Sequence, residues 1–262
     1  MEHKALIVET RDHVTTITLN RPERYNAIDL QLAQNLMEAV LTCSEDPGVR
    51  ALVITGAGSV FSGGGNVKEF GERLQTISRY LKELTTLLHI TISRICRMPK
   101  PVLAAVNGVA AGGGMSLALA CDLVLAAESA RFTMAYAGIG ATPDGSSSYF
   151  LPRLVGLKRA FDLFYANRTL TAQEAEAWGL VNKVIPDADF KAAVDELVTQ
   201  LAKGPTLAFG RGKRLLHLGS HESLETQMEH ESELIALSGT TEDFQEGVKA
   251  FLGKRKASFR GR

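Results

Sequence analysis

Residues 101–115 read PVLAAVNGVAAGGGM and join an apolar run with β-branched residues to three consecutive glycines. The run predicts a buried strand, and the good helix formers that follow at 115–120 predict a helix directly after the glycines. The first amides of a helix have no partner within the helix, and glycine lets a ligand approach them closely. The stretch therefore predicts a strand, a tight turn and a helix that present bare backbone N–H groups.

The same arrangement occurs earlier in the chain. Residues 51–55 read ALVIT and predict a strand, and three glycines at 63–65 lead into a predicted helix near Val67. If the two glycine turns meet, one amide from each can hold a single oxygen, which is an oxyanion hole. Phosphate binding is a rival use of such turns. Neither turn, however, is followed by Gly-Lys-Ser/Thr, and no well-placed G-x-G-x-x-G is present.

Composition narrows the class of protein. The 262 residues carry a formal net charge of zero, so no global field favours nucleic acid or a membrane. The three cysteines lack metal-like spacing, which indicates a reducing compartment, no disulfide framework and no metal. Residues 1–5 lead directly into a strand pattern without a leader, and no apolar run could span a bilayer. We expect one large domain, with or without an appendage, in the cytoplasm.

Hydrophobic periodicity predicts an α/β body followed by a helical tail. In the body we expect a hairpin over 6–19, a helix capped by Asp29, a long helix over 67–97, further strands at 122–127 and 180–185, helices within 146–163 and a capping box from Thr171 to Glu174. In the tail we expect helices over 190–201, 206–218, 223–237 and 244–252. Thr240 with Asp243 is the predicted cap of the last helix.

Four motifs in this chain together resemble the enoyl-CoA hydratase/isomerase (crotonase) superfamily, and the resemblance covers nearly the whole chain. They are NRPERYNA at 20–27, FSGGG at 61–65, NGVAAGGG at 107–114 with Cys121-Asp122, and AFLGKR at 250–255. The resemblance implies an α/β spiral of ββα units over residues 1–195, which binds acyl-CoA. It also implies a C-terminal helical oligomerisation region over residues 196–262 and assembly as homotrimers or hexamers.

Within that family, the amides of Gly65 and Gly113 match the pair that holds the thioester carbonyl of an acyl-CoA substrate, with no prosthetic group. The hydratases also carry two glutamates that position and activate water. The matching positions here are Ser116 and Tyr136. Neither side chain is a carboxylate base near neutral pH, so the sequence disfavours hydration.

An acid is present instead in the segment Pro143-Asp144-Gly145. As a local pattern these three residues form a common turn. The segment also resembles the loop in which ring-1,2-epoxyphenylacetyl-CoA isomerases and some enoyl-CoA isomerases carry an acid/base aspartate. Asp144 would remove a proton near the acyl-CoA carbonyl and return it elsewhere, which shifts a double bond. We therefore favour an isomerase.

The alternative in this family is 4-chlorobenzoyl-CoA dehalogenase, in which the matching aspartate is a nucleophile. His89 stands where the dehalogenase histidine that activates water is expected, although a lone helical histidine is more often a surface residue. Gly65, Leu88 and Tyr136 stand at positions that are aromatic there, with Trp at the last two, so the aromatic cage is thinner here. The C-terminal third also looks more like the isomerases.

A non-catalytic RNA-binding member of the superfamily is a third alternative, which net neutrality and Asp144 disfavour. For binding of the CoA moiety, the resemblance points to Phe251 and Lys254, which often come from a neighbouring subunit, and to Arg24 near the phosphates. Cations suit a polyanionic ligand. The basic residues beyond Lys254 are expected to form a solvated tail.

Overall fold

The hydrophobic strands assemble into two sheets in a computed structural model that describes residues 5–262. The first sheet contains, in spatial order, β1 (Leu6–Arg11), β2 (Val14–Leu19), β3 (Ala51–Gly56), β5 (Val102–Val106), β7 (Leu123–Ala127) and β10 (Lys183–Ile185). The second contains β4 (Val60–Ser62), β6 (Val109–Ala111), β8 (Arg131–Thr133) and β9 (Thr169–Thr171). Residues 1–4, on which the expected lack of a leader depends, lie outside the described residues.

Eleven α-helices are present within residues 5–262. They are α1 (Leu30–Glu45), α2 (Val67–Glu72), α3 (Ile77–Arg97), α4 (Gly113–Leu119), α5 (Ser147–Val155), α6 (Leu157–Tyr165), α7 (Ala172–Ala177), α8 (Phe190–Ala202), α9 (Thr206–Leu218), α10 (Leu224–Gly239) and α11 (Glu242–Leu252). In that part of the chain, no helix is both long and apolar enough to cross a membrane.

The chain winds as a spiral of repeated strand–strand–helix units, as the resemblance implies. β3 and β4 precede α2 and α3, β5 and β6 precede α4, and β7 and β8 precede α5. In each unit the first strand joins the six-stranded sheet and the second joins the four-stranded sheet. Among the described strands, the pairs β1–β2 and β8–β9 are antiparallel and the other pairs are parallel. The predicted α/β spiral with C-terminal helices is therefore confirmed.

The central strands are apolar along their length because helices cover both faces of the six-stranded sheet. On one face Leu52 and Ile54 of β3 join the main core with residues of α1 and α3. On the other face Val53 packs in a second cluster with Val194 and Val198 of α8. α8 runs across residue 195, and the predicted division of the chain there stays a prediction.

Several local expectations agree with the structure. The hairpin turns at Asp12 and His13, both with positive φ, which suits a tight hairpin turn. Asp29 caps α1, with its side chain accepting from the Leu32 amide at 2.9 Å. The capping box between Thr171 and Glu174 opens α7.

Other expectations were wrong. The helix expected over 67–97 is divided into α2 and α3 by a short 3₁₀ turn at Leu74–Thr76. The division lets the rings of Phe70 and Tyr80 meet edge to face at 5.9 Å. The short strand β9 was not predicted, because it is defined by antiparallel pairing with β8 and not by a long apolar run.

The last helix is capped by Thr241, not by Thr240. The Thr241 hydroxyl accepts from the Phe244 amide at 3.1 Å, whereas the Thr240 hydroxyl donates to the Leu237 carbonyl. Asp243 does not form the expected cap either. It is buried, and its carboxylate accepts from the backbone amides of residues 260 and 261, which ties the end of the chain to α11.

A buried ion pair joins the helical tail to the sheet. The Lys213 ammonium of α9 donates to Asp122 Oδ2 at 2.8 Å and to the Ile95 carbonyl at 2.6 Å. Asp122 Oδ2 also accepts from the Val102 amide at the start of β5. Burial raises the pKa of the Asp122 carboxyl, and the charge of Lys213 opposes that rise. Loss of Lys213 would leave a buried carboxylate without its counter-charge.

We expect Lys213→Ala to lower the free energy of unfolding by about 3–5 kcal/mol, because breaking one side of a buried pair leaves an uncompensated charge. The matched control is Lys191→Ala, which removes the exposed pair with Asp195 and is expected to cost less than about 1 kcal/mol. Denaturant unfolding followed by circular dichroism gives both values. Equal losses in the two variants would contradict a stabilising role for the buried pair.

Candidate active site

The two glycine turns meet in the structure. The Gly64 carbonyl accepts from the Ile28 amide at 2.7 Å, and the Ile28 carbonyl accepts from the Asn66 amide at 3.1 Å. This parallel bridge turns the N–H of Gly65 away from Ile28. A Cβ atom on Gly64 would lie 2.6 Å from the Ala111 carbonyl oxygen and 3.1 Å from the Gly113 nitrogen. The first turn therefore lies directly against the second, and only glycine fits at the contact.

Two backbone amides at this contact have no acceptor. Gly113 is the first residue of α4, so its N–H has no partner within the helix. Across residues 5–262, no carbonyl or side chain accepts from the Gly113 amide or from the Gly65 amide. Neighbouring free donors of this kind can bind one oxygen atom and stabilise negative charge on it.

Asp144 lies in the loop three residues before α5 and is held by hydroxyl groups. The Tyr136 hydroxyl donates to Asp144 Oδ1 at 2.6 Å, and Ser116 Oγ lies 2.9 Å from the Tyr136 hydroxyl. The backbone carbonyl of Asp144 accepts from the amide and the hydroxyl of Ser147, at 3.1 and 2.8 Å. Among the described residues, no group donates to Asp144 Oδ2. One carboxylate oxygen is thus fixed and the other is available.

The loop that carries Asp144 and the Gly113 amide share a wall. A Cβ on Gly113 would lie 3.8 Å from Leu88 Cδ2, and a Cβ on Gly145 would lie 3.4 Å from the same atom. The ring of Tyr136 lies 3.9 Å from the Cβ position of Gly112. The structure therefore places Asp144, Tyr136 and Gly113 around one wall, and the catalytic roles of these residues stay a prediction.

Tyr136 remains a hydrogen-bond donor in this setting. It is buried, and burial together with the negative charge of Asp144 raises the pKa of its hydroxyl far above the usual range. The phenol is therefore un-ionised at neutral pH and can donate to the carboxylate.

His89 contacts the same loop from α3. Its side chain is exposed, and its Nε2 accepts from the Gly145 amide at 3.3 Å. An Nε2 that accepts carries no proton, so in the neutral ring the proton is on Nδ1. The lone pair that would make His89 a base is therefore occupied by a backbone amide.

A cleft of about 1000 Å³ leads away from Gly65. Arg24 lines it together with Lys68 of α2 and with Arg73, which directly follows that helix. The segment that carries Arg24 is held by the ion pair of Arg21 with Asp29 and by the Asn26 amide, which donates to two carbonyls of residues 57 and 60. Four carboxylates, from Glu23, Asp29, Glu69 and Glu72, line the same cleft, so its lining is mixed in charge.

Phe251 and Lys254 lie elsewhere in the chain. Phe251, at the end of α11, is 84% exposed and lines a separate apolar cavity of about 390 Å³ between α9 and α11. Lys254 is exposed just beyond that helix. Neither residue lines the cleft with Gly65, so a single chain does not bring all the predicted binding residues together.

Three functional candidates were missed from the sequence. Ser116 was considered only as an absent glutamate, but its buried hydroxyl contacts Tyr136 and the backbone of Asp144. Lys68 and Arg73 line the cleft, and two cations shortly after the glycine turn were an available signal. No cluster of three or more His, Cys, Asp or Glu that could hold a metal occurs within residues 5–262.

Comparisons with known proteins agree with this geometry. Residues 9–262 match the enoyl-CoA hydratase/isomerase family model. The chain is 41% identical over 254 residues to 4-chlorobenzoyl coenzyme A dehalogenase-2 of Arthrobacter sp, covering 96% of this chain and 91% of that protein. It is 36% identical over 257 residues to 1,2-epoxyphenylacetyl-CoA isomerase of Escherichia coli K12, covering 95% of each. A solved enoyl-CoA hydratase from Polaromonas sp. JS666 superposes with a TM-score of 0.93 at 34% identity, covering 97% of this chain and 99% of that one.

The contact between Tyr136 and Asp144 can be tested by titration. Asp144→Asn removes a negative charge that raises the pKa of Tyr136, so we expect the pKa of Tyr136 to fall in the variant, although burial keeps it above the usual range. The absorbance of Asp144→Asn/Tyr136→Phe is subtracted from that of Asp144→Asn at each pH, and the difference is the tyrosinate absorbance of Tyr136 alone. The reference is wild type minus Tyr136→Phe. Identical titrations in the two comparisons would show that the carboxylate does not act on the phenol.

Proposed function

The chain belongs to the enoyl-CoA hydratase/isomerase family of acyl-CoA-processing enzymes, and on that premise we propose that it is an acyl-CoA isomerase. It would shift a double bond, or isomerise a ring epoxide, with Asp144 as the acid/base. The observation that carries the proposal is the Asp144 carboxylate, with Oδ1 held by Tyr136 and Oδ2 without a donor among the described residues, on a loop that shares the wall of Leu88 with Gly113.

The proposed reaction begins with proton removal. Asp144 Oδ2 takes a proton α or γ to the thioester carbonyl, and the electron pair of the broken C–H bond moves onto the carbonyl oxygen. The amides of Gly65 and Gly113 hold the resulting enolate oxygen. The same carboxyl then returns its proton to another carbon, and the double bond has moved with no change in mass.

Hydration is disfavoured by the contents of the site. Ser116 and Tyr136 stand where the resemblance places the two hydratase glutamates, and they hydrogen-bond to each other and to Asp144. Among the described residues, Asp144 is the only carboxylate that contacts this pair. A second carboxylate to activate water is therefore missing from the group.

Dehalogenation is the second candidate, supported by the 41% identity to an Arthrobacter dehalogenase and by the position of His89 beside the Asp144 loop. In that reaction Asp144 would attack the substrate and a histidine would activate water. The Nε2 lone pair of His89 is used by the Gly145 amide, so the observed position of the ring does not leave a free base. The geometry therefore favours the isomerase.

The CoA moiety is proposed to occupy the cleft of about 1000 Å³, with Arg24 near its phosphates. Phe251 lies at the other cavity and Lys254 is exposed beyond α11, and neither lines the cleft, so in this proposal they reach it from a neighbouring subunit. This placement supports assembly as homotrimers or hexamers. Exposed apolar side chains on α10 and α11 supply surface for such contacts, and they are Leu224, Met228, Ile235, Leu237, Phe244, Val248, Phe251 and Leu252.

We expect Asp144→Asn to lower turnover of a 3-enoyl-CoA by about 10²–10⁴-fold while acyl-CoA binding is retained, because the variant keeps the shape but loses the acid/base. His89→Gln is the matched control. Its amide oxygen can still accept from Gly145, so isomerisation should be retained. Product mass and ultraviolet absorbance distinguish the reactions on 3-enoyl-CoA, 2-enoyl-CoA and 4-chlorobenzoyl-CoA.

Three outcomes would contradict the isomerase proposal or the argument for its site. Chloride release from 4-chlorobenzoyl-CoA that depends on both Asp144 and His89 would replace the isomerase with the dehalogenase. A gain of one water on 2-enoyl-CoA would show that hydration proceeds without the usual glutamates. Unchanged isomerisation by Asp144→Asn would remove Asp144 from the mechanism.

The expected assembly is checked by sedimentation equilibrium, which should give three or six times the mass of one chain at all concentrations tested. Phe251→Asp with Leu252→Asp should reduce that mass, because two charges in an apolar contact cannot be desolvated cheaply. Arg79→Asp, on an exposed position of α3, is the control. A wild-type protein that sediments as a monomer would contradict the proposed assembly.

A further inference from the structure

Ser116 lies at the centre of a hydrogen-bonded chain. Its side chain is fully buried, and its Oγ lies 2.9 Å from the Tyr136 hydroxyl, 3.1 Å from the Gly112 carbonyl oxygen and 3.1 Å from the Asp144 carbonyl oxygen. The Tyr136 hydroxyl lies in turn 2.6 Å from Asp144 Oδ1. The chain therefore runs from the Gly112 carbonyl through two hydroxyls to the carboxylate.

The protons of the two hydroxyls can be counted. Each hydroxyl has one proton and two lone pairs. When Asp144 is ionised, the Tyr136 hydroxyl donates its hydrogen bond to Oδ1, because a hydrogen bond to a charged acceptor is the strongest available. The oxygen of Tyr136 is then free to accept, and it accepts a hydrogen bond from the Ser116 hydroxyl. In this state the carboxylate polarises both hydroxyls in one direction.

Ser116 has one remaining alternative acceptor. The Asp144 carbonyl already accepts from the amide and the hydroxyl of Ser147, which use its two lone pairs. The Gly112 carbonyl accepts one backbone bond, from the Ser116 amide at 3.0 Å, and so has a free lone pair. When the bond from Ser116 to Tyr136 weakens, the proton of Ser116 has the Gly112 carbonyl as its open acceptor.

The Gly112 carbonyl is one end of a peptide group whose other end is the N–H of Gly113. A hydrogen bond donated to a peptide oxygen polarises the group and makes its N–H a stronger donor. The amide of Gly113 has no acceptor within residues 5–262, and Gly113 lies at the wall of Leu88 that it shares with the Asp144 loop. The hydroxyl of Ser116 can therefore act on a substrate oxygen that it does not touch.

We propose that Ser116 and Tyr136 couple the protonation of Asp144 to the strength of the Gly113 amide as an oxyanion donor. Ser116 is in this proposal a positioning residue, acting through the peptide group of Gly112 and Gly113. The proposal rests on the proposed function, since it assigns a regulation of that same site.

The coupling is driven by the transfer of one proton from the substrate to Asp144. A substrate C–H bond breaks, its proton goes to Asp144 Oδ2, and its electron pair goes to the thioester oxygen. Oδ1 is then the carbonyl oxygen of a neutral acid and a weaker acceptor for Tyr136. The bond from Ser116 to Tyr136 weakens with it, and the proton of Ser116 turns to the Gly112 carbonyl. The Gly113 amide is strengthened at the moment when the enolate forms, and the change reverses when the proton is returned.

The hydrogen-bonded hydroxyls of Tyr136 and Ser116 are the main contact of Asp144. The ionisable groups that face the Asp144 loop are Tyr136 and His89, and His89 contacts the Gly145 amide and not the carboxylate. α4 contributes Ser116 and α5 contributes Ser147. The hydroxyl chain is therefore the one path of direct hydrogen bonds from Asp144 Oδ1 to the glycine turn within residues 5–262.

The test uses butanoyl-CoA labelled with ¹³C at the thioester carbonyl, bound to the full chain, and isotope-edited infrared spectroscopy. The variant Asp144→Asn mimics the protonated, neutral form of Asp144. We expect the carbonyl stretch to fall on binding to the wild type and to fall further on binding to Asp144→Asn. Removing the charge of Asp144 also shifts the carbonyl stretch directly. The comparison is therefore repeated between Ser116→Ala and the double variant Ser116→Ala/Asp144→Asn. In that background the further fall should be smaller.

An equal further fall with and without Ser116 would overturn the coupling, as would no further fall in Asp144→Asn. A stretch that does not move when butanoyl-CoA binds to the wild type would instead contradict the oxyanion hole, and with it the proposed function. Tyr136→Phe breaks the same chain at its middle link while keeping the ring. It should reduce the effect of Asp144→Asn in the same way, and it serves where Ser116→Ala does not fold.

Kinetics supply a second readout. Ser116→Ala should lower kcat by about threefold to tenfold with KM unchanged, because it weakens a donor that acts on the enolate and not on the bound substrate. Ser44→Ala, at a buried serine of α1, is the matched control and should leave both constants unchanged. A rise in KM with unchanged kcat would mean that Ser116 shapes the binding site only.

Discussion

The structure depends on the close approach of two backbone turns that leaves no room for a Cβ atom. Gly64 lies against the Ala111 carbonyl and the Gly113 nitrogen, and a methyl group there would overlap backbone that cannot move aside. This contact joins the ends of β4 and β6, which are neighbouring strands of the four-stranded sheet, and within residues 5–262 the amides of Gly65 and Gly113 have no acceptors. The cost of two unpaired amides is offset by the surrounding packed core, as is usual for sites that bind a developing charge.

The chemistry of the site follows from what faces those amides. Positions 116 and 136 carry hydroxyl groups, and both are used to hold one carboxylate at Asp144. Buried polar groups need partners, and here each hydroxyl satisfies the next in a continuous chain. A single carboxyl with one oxygen held and one available suits removal and return of a proton. It does not suit a reaction that needs two separate acids and bases.

Much of the fold was readable locally. Apolar runs and glycine punctuation predicted most strands, side-chain caps predicted the starts of α1 and α7, and periodicity predicted the four helices of the tail. The failures have physical causes. The break between α2 and α3 depends on where Phe70 and Tyr80 pack, and β9 exists because β8 is beside it. The cap of α11 was misplaced by one residue because neighbouring threonines look alike in sequence, and only the bond to the Phe244 amide distinguishes them.

By itself the sequence determined most of the strands and helices in their order, the two glycine turns, the lack of a carboxylate at positions 116 and 136, and the presence of Asp144 in a turn. Those features are local, set by residue type and short spacing. Tertiary structure alone decided that Ser116 and Tyr136 meet at Asp144, that Oδ2 is the available oxygen, and that His89 binds the Gly145 amide. These contacts join residues 8 to 56 positions apart. Their direction depends on how helices pack on the sheets, which no local pattern encodes.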